Sequence, residues 1–427
     1  EDYSCFGSNV NGTSTVHGDN FVVHYETGVS KAIAEQFLDD LEEGREPLIE
    51  AGWTPVYGTH RFPIMAYIQN GSGSGAYTTV AECGTVGWMP YIVTYESVFS
   101  DATWAESMAP HEYHHAQQFT YGSGHEFWYW EATATWIEEI AQPSANQWSS
   151  YLYGGYSLQP WIAMRASSQQ DQNEFYHMYG MGVWGFHITE NVGENVMLDT
   201  WKYAKTHGSQ YDLSIVDVLN DLGHDFDAIY ADFVARNTVF DYNEGRWMGD
   251  VAIERTHGSL PADGESTRSH EPEALGQNYI EISPGAATDD APDLRVSFTG
   301  ESSSPWLALL VGTDGSDVAG VAEVTVADDG TGTGVLQDFG AFDQVFLVVS
   351  PTHLNSSRSF SYSYALEGTS FDGPEPGDSN YLDSGDPEIP GIVLDDPLLS
   401  CGAVGAVPGA LGVAAGVLLL GWRRRQD

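Results

Sequence analysis

The sequence predicts an α+β domain, then an all-β antiparallel sandwich, then a C-terminal apolar segment, and three observations predict it. Strand-like runs and one amphipathic stretch precede a largely helical tract over about residues 102–243. After about residue 260, short strand-like runs recur between Gly, Asp, Ser and Pro. Residues 402–422 carry no charge and are followed by three arginines. With 427 residues, 42% of them hydrophobic, the chain can hold two cores plus tails. The expected divisions are 1–262, 263–370, 371–400 and 401–427.

In chain order, residues 20–25, 62–69 and 88–95 are rich in β-branched and aromatic side chains and read as strands. Residues 30–51 read as an amphipathic helix. One of the strands should edge a cleft; 88–95 is the expected edge, since Gly87 precedes it and Pro90 cannot donate a ladder bond. The helical tract from 102 to 243 completes the α+β part. Residues 277–282, 293–299, 306–312, 321–327, 345–350 and 359–366 are short runs at regular spacing, the pattern of an antiparallel sandwich. Residues 371–400, rich in Pro, Gly and Asp, read as a disordered acidic linker.

Charge bounds the partners. The chain has 15 Lys plus Arg against 61 Asp plus Glu, a net charge of −46. Phosphate-backbone binding rests on cationic neutralisation, so nucleic acid is excluded. Lysine occurs only as Lys31, Lys202 and Lys205, and a surface this acidic fits a saline setting.

The densest chemistry is His111-Glu112-Tyr113-His114-His115. On a helix His111 and His115 stack on one face and can reach one Zn²⁺, with Glu112 beside them as a base toward water. A third ligand is expected from Trp130-Glu131-Ala132-Thr133-Ala134-Thr135-Trp136, where Glu131 sits among small and aromatic residues; Glu138 is the reserve. His114 is an alternative to His115 at i,i+3. The metzincin pattern is excluded, because its glycine and third histidine would fall on Gln118 and Tyr121. Tyr121-Gly122-Ser123-Gly124 should turn the chain between two helices, with His125 and Glu126 as caps or surface groups of the second. Pro110 should start or kink the first helix.

His111-Glu112-x-x-His115 followed by Trp130-Glu131-Ala132-x-Ala134-x-Trp136 resembles the gluzincin class of zinc peptidases, and more narrowly a family of myxobacterial metalloproteases. The resemblance covers roughly residues 100–190. It implies a zincin-like fold for the α+β domain, His111, His115 and Glu131 as zinc ligands, Glu112 as general base and a protein or peptide substrate. Tyr179-x-x-Gly182 resembles the Tyr-x-Lys-Gly segment of the zinc aminopeptidases, with Met181 in place of the lysine. That implies Tyr179 as the donor to the developing oxyanion, with Tyr176 as second choice.

Cys401, the apolar run 402–422 and Arg423-Arg424-Arg425 resemble the myxobacterial C-terminal (MYXO-CTERM) sorting segment. The resemblance implies processing near Cys401 by a sorting protease and delivery to the cell surface or medium; the alternative is a permanent membrane anchor through 402–422. The chain opens at Glu1 without an apolar leader, as an exported protein with its signal peptide removed would. Of three cysteines, setting Cys401 aside leaves Cys5 and Cys83, which are expected to form a disulfide; two free thiols are the alternative. Two rival functions remain open: a surface binding protein with a degenerate or structural zinc site, and a zinc hydrolase of non-peptide substrates.

Overall fold

The computed structural model describes residues 14–370, apart from 58–62, 74, 84–86, 209–210, 212 and 355–357. Its first part is a sheet of β1 (Ser14–His17), β2 (Phe21–Tyr25), β3 (Ile64–Gln69), β4 (Ala76–Cys83) and β5 (Gly87–Tyr95), in the order β1-β2-β3-β5-β4. Strands β2, β3 and β5 run parallel, and β1 and β4 run antiparallel to their neighbours. The expected edge is therefore corrected: β5 is interior and β4 lies at the edge. Pro90 is tolerated there because the β3–β5 ladder begins only at Tyr91, so the missing N–H removes no bond from it.

One face of this sheet is covered by α1 (Lys31–Glu50), whose N-cap Ser30 accepts from the Ile33 amide. Its buried residues Ala34, Phe37, Leu38, Leu41 and Leu48 recur at helical spacing, as the sequence pattern anticipates. Against it lies α2 (Ala102–Tyr121), capped by the Asp101 side chain and ended at Gly122 with φ 92°. Helix α2 begins at Ala102 rather than at Pro110 and runs through the proline as one helix. The proline is accommodated by Gly44 of α1, where an added Cβ would stand 2.9 Å from the Pro110 Cβ.

The helical tract continues with α3 (Phe127–Ala141), α4 (Trp148–Leu152), a π-helical turn at Tyr153–Ser157, α5 (Gln172–Gly180), α6 (Val183–His187), α7 (Val196–His207), α8 (Ile215–Asp221) and α9 (Phe226–Arg236).

The remainder is strand: β6 (Ile253–His257), β7 (Ala262–Glu265), β8 (Asn278–Ile282), β9 (Asp293–Gly300), β10 (Trp306–Asp314), β11 (Asp317–Glu323), β12 (Thr325–Val326), β13 (Thr331–Leu336), β14 (Gln344–Pro351) and β15 (Tyr362–Thr369). They form two sheets, β11-β10-β14-β8-β6 and β12-β13-β9-β15-β7. Pairing is antiparallel except for β6 with β8, and β6 joins its sheet upstream of the expected 262/263 boundary. Alternation along the strands explains the packing. Ile280, Leu310, Leu347 and Val349 share one apolar cluster with Val296, Phe298 and Leu366 of the other sheet. Their neighbours Tyr279, Val311, Phe346 and Val348 belong to the core that includes the helices. The first of these sheets is buried on both faces, which is why β14 is apolar almost without interruption.

Among the described residues no helix is long and apolar enough to cross a membrane. Cys5, Cys401, the expected linker 371–400 and the segment 401–427 lie outside the described residues, as does the side chain of Cys83.

Candidate metal centre

The site is built where α2 meets α3 under the edge of β4. Helix α2 is buried along Ala109 to Gln118, and His111, Glu112 and His115 are 7%, 5% and 9% exposed. On α3 the run Trp128 to Trp136 packs into the core and carries Glu131; Glu138 follows two turns after Glu131, and both are buried. The N-terminus of α3 is held by Glu126, which accepts from the Arg165 Nε at 2.8 Å; the same guanidinium donates to the Leu354 carbonyl in the β part at 2.7 Å.

The two imidazoles are fixed from behind. His111 Nδ1 lies 2.9 Å from Glu138 Oε1, and His115 Nδ1 lies 2.7 Å from Gln118 Oε1. Gln118 is in turn anchored by donating from Nε2 to the Trp130 carbonyl at 3.0 Å. Both partner atoms only accept, so both Nδ1 atoms donate and each ring turns Nε2 inward. There the two Nε2 atoms meet one oxygen, Glu131 Oε2, at 3.5 and 3.4 Å. No hydrogen bond satisfies that buried oxygen. One ligand atom from each of His111, His115 and Glu131 lies within 4.8 Å of the others, so this buried group could hold a metal ion.

The electrostatics favour a cation. Burial would depress the His111 imidazole, but Glu131 and Glu138 outweigh it and raise its pKa to about 10. Burial pushes Glu131 up, yet the His115 and His111 rings hold its carboxyl well below the usual range. Glu112 and Glu138 are raised, first by burial, with the flanking imidazoles acting in the opposite sense. Three carboxylates crowd two histidines, and among the described residues their ion pairs are to histidine alone. A donor set of two imidazole nitrogens and one carboxylate oxygen suits Zn²⁺.

Other anticipated residues fall as follows. His114 turns away from the site onto Trp53, with ring centroids 4.4 Å apart, and burial lowers its pKa well below the ordinary value. Glu138, the reserve ligand, instead holds His111. His125 is neither cap nor surface group: it is fully buried, donating from Nε2 to the Thr200 carbonyl at 3.0 Å. Tyr179 stacks on His111 at 6.0 Å, and burial together with the facing Glu131 raises its pKa far above normal. Tyr176 is half-buried on the same helix, edge-on to Phe175.

Two neighbours escape the sequence pattern. Thr78 Oγ1 of β4 donates to Glu112 Oε2 at 2.6 Å. Tyr151 of α4 stacks on Tyr179 at 4.9 Å, and its pKa is raised by burial and then by Glu138, Glu131, Tyr176 and Glu112. The stack His111, Tyr179, Tyr151 walls one side of the site with phenols.

No protein-family model and no curated protein matches this chain. One solved structure that is similar to it is the 1.0 Å crystal structure of the pre-peptidase C-terminal domain of a collagenase from Bacillus anthracis. It is 10% identical, covers 28% of this chain and 100% of its own, and has a TM-score of 0.19. A similarity that weak leaves function to the residues themselves.

Proposed function

We propose that this chain is an exported zinc metallopeptidase of the gluzincin type, with His111, His115 and Glu131 as ligands and Glu112 as general base. One observation carries the reading: both Nε2 atoms converge on Glu131 Oε2, which no hydrogen bond satisfies, while both Nδ1 atoms are tied back. Zn²⁺ bound by these three residues would supply Lewis acidity toward a carbonyl and would acidify water.

The chain's own groups do the rest. Glu112, beside the ligands, takes the proton of the attacking water and returns it to the leaving amine. Tyr179, or Tyr151 behind it, donates a hydrogen bond to the carbonyl oxygen as that oxygen gains charge, a contribution worth on the order of 3 kcal/mol. Among the described residues β4 ends its sheet, an edge a peptide would lie against.

The same reading makes residues 1–262, except the β6 strand that joins the β part, a zincin-like catalytic domain and 263–370 with β6 a β-sandwich, which the apolar cluster shared by the two last sheets supports. Residues 371–400 are then a stalk and 401–427 the sorting segment, which a sorting protease removes.

The test is zinc content per full chain, followed by hydrolysis of proteins, peptides and small esters by parent and Glu112→Gln. About one zinc per chain with peptide cleavage that Glu112→Gln abolishes is the expected result. Zinc without hydrolysis would favour the surface binding protein, and ester cleavage alone the non-peptide hydrolase.

A further inference from the structure

The residue next to the base that no motif contains is Thr78. Along β4, Tyr77 packs with Val22, Met65, Tyr67 and Val93 on one face of the sheet. Its successor Thr78 therefore points to the other face, toward α2. There its hydroxyl meets two acceptors of one residue, Glu112 Oε2 at 2.6 Å and the Glu112 backbone oxygen at 2.9 Å. A threonine hydroxyl has one hydrogen to give, and the shorter, charge-assisted contact takes it.

We infer that Thr78 is a positioning residue for the base: its hydroxyl ties one oxygen of Glu112 to the sheet and thereby aims the other at the reacting water. The inference rests on the hydrolase reading of Glu112. Two features suit Thr78 to the task. It is β-branched, so its χ1 is stiff, and it sits in a ladder opposite Ile92 of β5. The donor is thus fixed to the sheet, and the carboxylate on the neighbouring helix is referenced to it. A serine would keep the donor but loosen its rotamer. A valine would keep the shape and remove the donor.

The experiment compares Thr78→Val, Thr78→Ala and Thr78→Ser with the parent in the full chain. Thr78→Val should keep the parent's zinc content and KM while kcat falls about 10- to 100-fold. Thr78→Ser should recover kcat to within about threefold of the parent. Thr78→Ala supplies the same test if the valine variant does not fold. An unchanged kcat in the valine or alanine variant overturns the inference.

A readout independent of turnover separates this inference from the hydrolase reading. In crystals of zinc-loaded parent and Thr78→Val, the Glu112 carboxylate should be single in the first and rotated or split between rotamers in the second. The same orientation in both overturns the role of Thr78. A parent that binds zinc and cleaves nothing overturns the hydrolase reading alone, and the carboxylate orientation then still decides whether Thr78 holds Glu112.

Discussion

The candidate metal centre and the seam between the helical part and the β part are both buried and polar, and they are satisfied in opposite ways. At the seam Tyr156 donates to Gln277 Oε1 at 2.7 Å and accepts from Asn237 Nδ2 at 2.7 Å. Gln277 Nε2 donates to the Tyr230 hydroxyl at 2.7 Å, and Tyr230 donates to the Leu275 carbonyl at 2.8 Å. Asn237 Oδ1 accepts from Tyr242 at 2.7 Å. Every member is neutral and each donor finds an acceptor. At the candidate metal centre the groups are ionisable, and Glu131 Oε2 and Glu138 Oε2 are buried without a hydrogen bond. A closed neutral network joins two surfaces and asks for nothing more. An open network with converging ligand atoms asks for a cation.

The sharpest way to break this contrast is to remove the acceptor on which the open network converges. Glu131→Ala should reduce zinc from about one per chain to near none, read by elemental analysis after dialysis. Zinc retained at the parent level would move the third ligand elsewhere. Next in size, Glu112→Gln should bind zinc as the parent does while kcat falls about a thousandfold or more. Glu138→Gln keeps a hydrogen-bond acceptor for His111 but loses its charge. Zinc affinity, measured by competition with a chelator, should weaken about 10-fold, and up to about 100-fold for Glu138→Ala. An unchanged affinity in both would mean that His111 needs no support from behind.

The closed network predicts a different kind of loss. Tyr230→Phe leaves Gln277 Nε2 and the Leu275 carbonyl with fewer partners in a buried seam, at about 1–3 kcal/mol of unfolding free energy in denaturant titration. Its zinc content should match the parent. If Tyr230→Phe lost zinc without losing stability, the seam would belong to the site and the contrast would collapse.

Legibility in the sequence divides along the same line. What is local could be read. Ser30 and the spacing of Phe37, Leu41 and Leu48 mark α1, and His111 with His115 at i,i+4 marks one face of α2. Glu131 was readable as a carboxylate in an apolar setting, and Glu138 lies seven residues on, on the same face. What depends on distant partners could not. Pro110 reads as a helix breaker until Gly44 of another helix is seen to receive it. His125 reads as a cap until α7 places the Thr200 carbonyl against it. Strand order makes β4 the edge, and order is a property of pairing that the apolar run at 88–95 does not encode. Thr78 lies in a strand that carries little apolar alternation, and Tyr151 belongs to a five-residue helix with no periodicity to detect. Gln118 departs from the metzincin glycine in the sequence, yet i+3 from His115 is where a ring-orienting acceptor falls.

An unpartnered carboxylate does not by itself mark a site, and Asp40 provides the control. It lies on α1, half-buried, with Oδ2 lacking a hydrogen bond. Its pKa is raised to about 7, first by burial and then by Glu106, Glu43 and Asp39. No histidine converges on it in the candidate metal group. An acid whose folded pKa is raised binds its proton more tightly in the native state than in the unfolded chain. It therefore opposes folding increasingly as pH rises from about 4 to about 7. Below that window it is protonated in both states and costs nothing. Asp40→Asn should accordingly stabilise the chain at pH 8 by about 1 kcal/mol, a figure kept small because solvent screens a half-buried group. At pH 4 the variant and the parent should unfold together. The gain at pH 8 should come without any change in zinc content, because what marks the neighbouring α2–α3 group as a candidate metal centre is convergence of ligand atoms rather than the presence of unpaired charge. A variant that gained stability and lost zinc would tie the α1 acid to the site and refute that distinction.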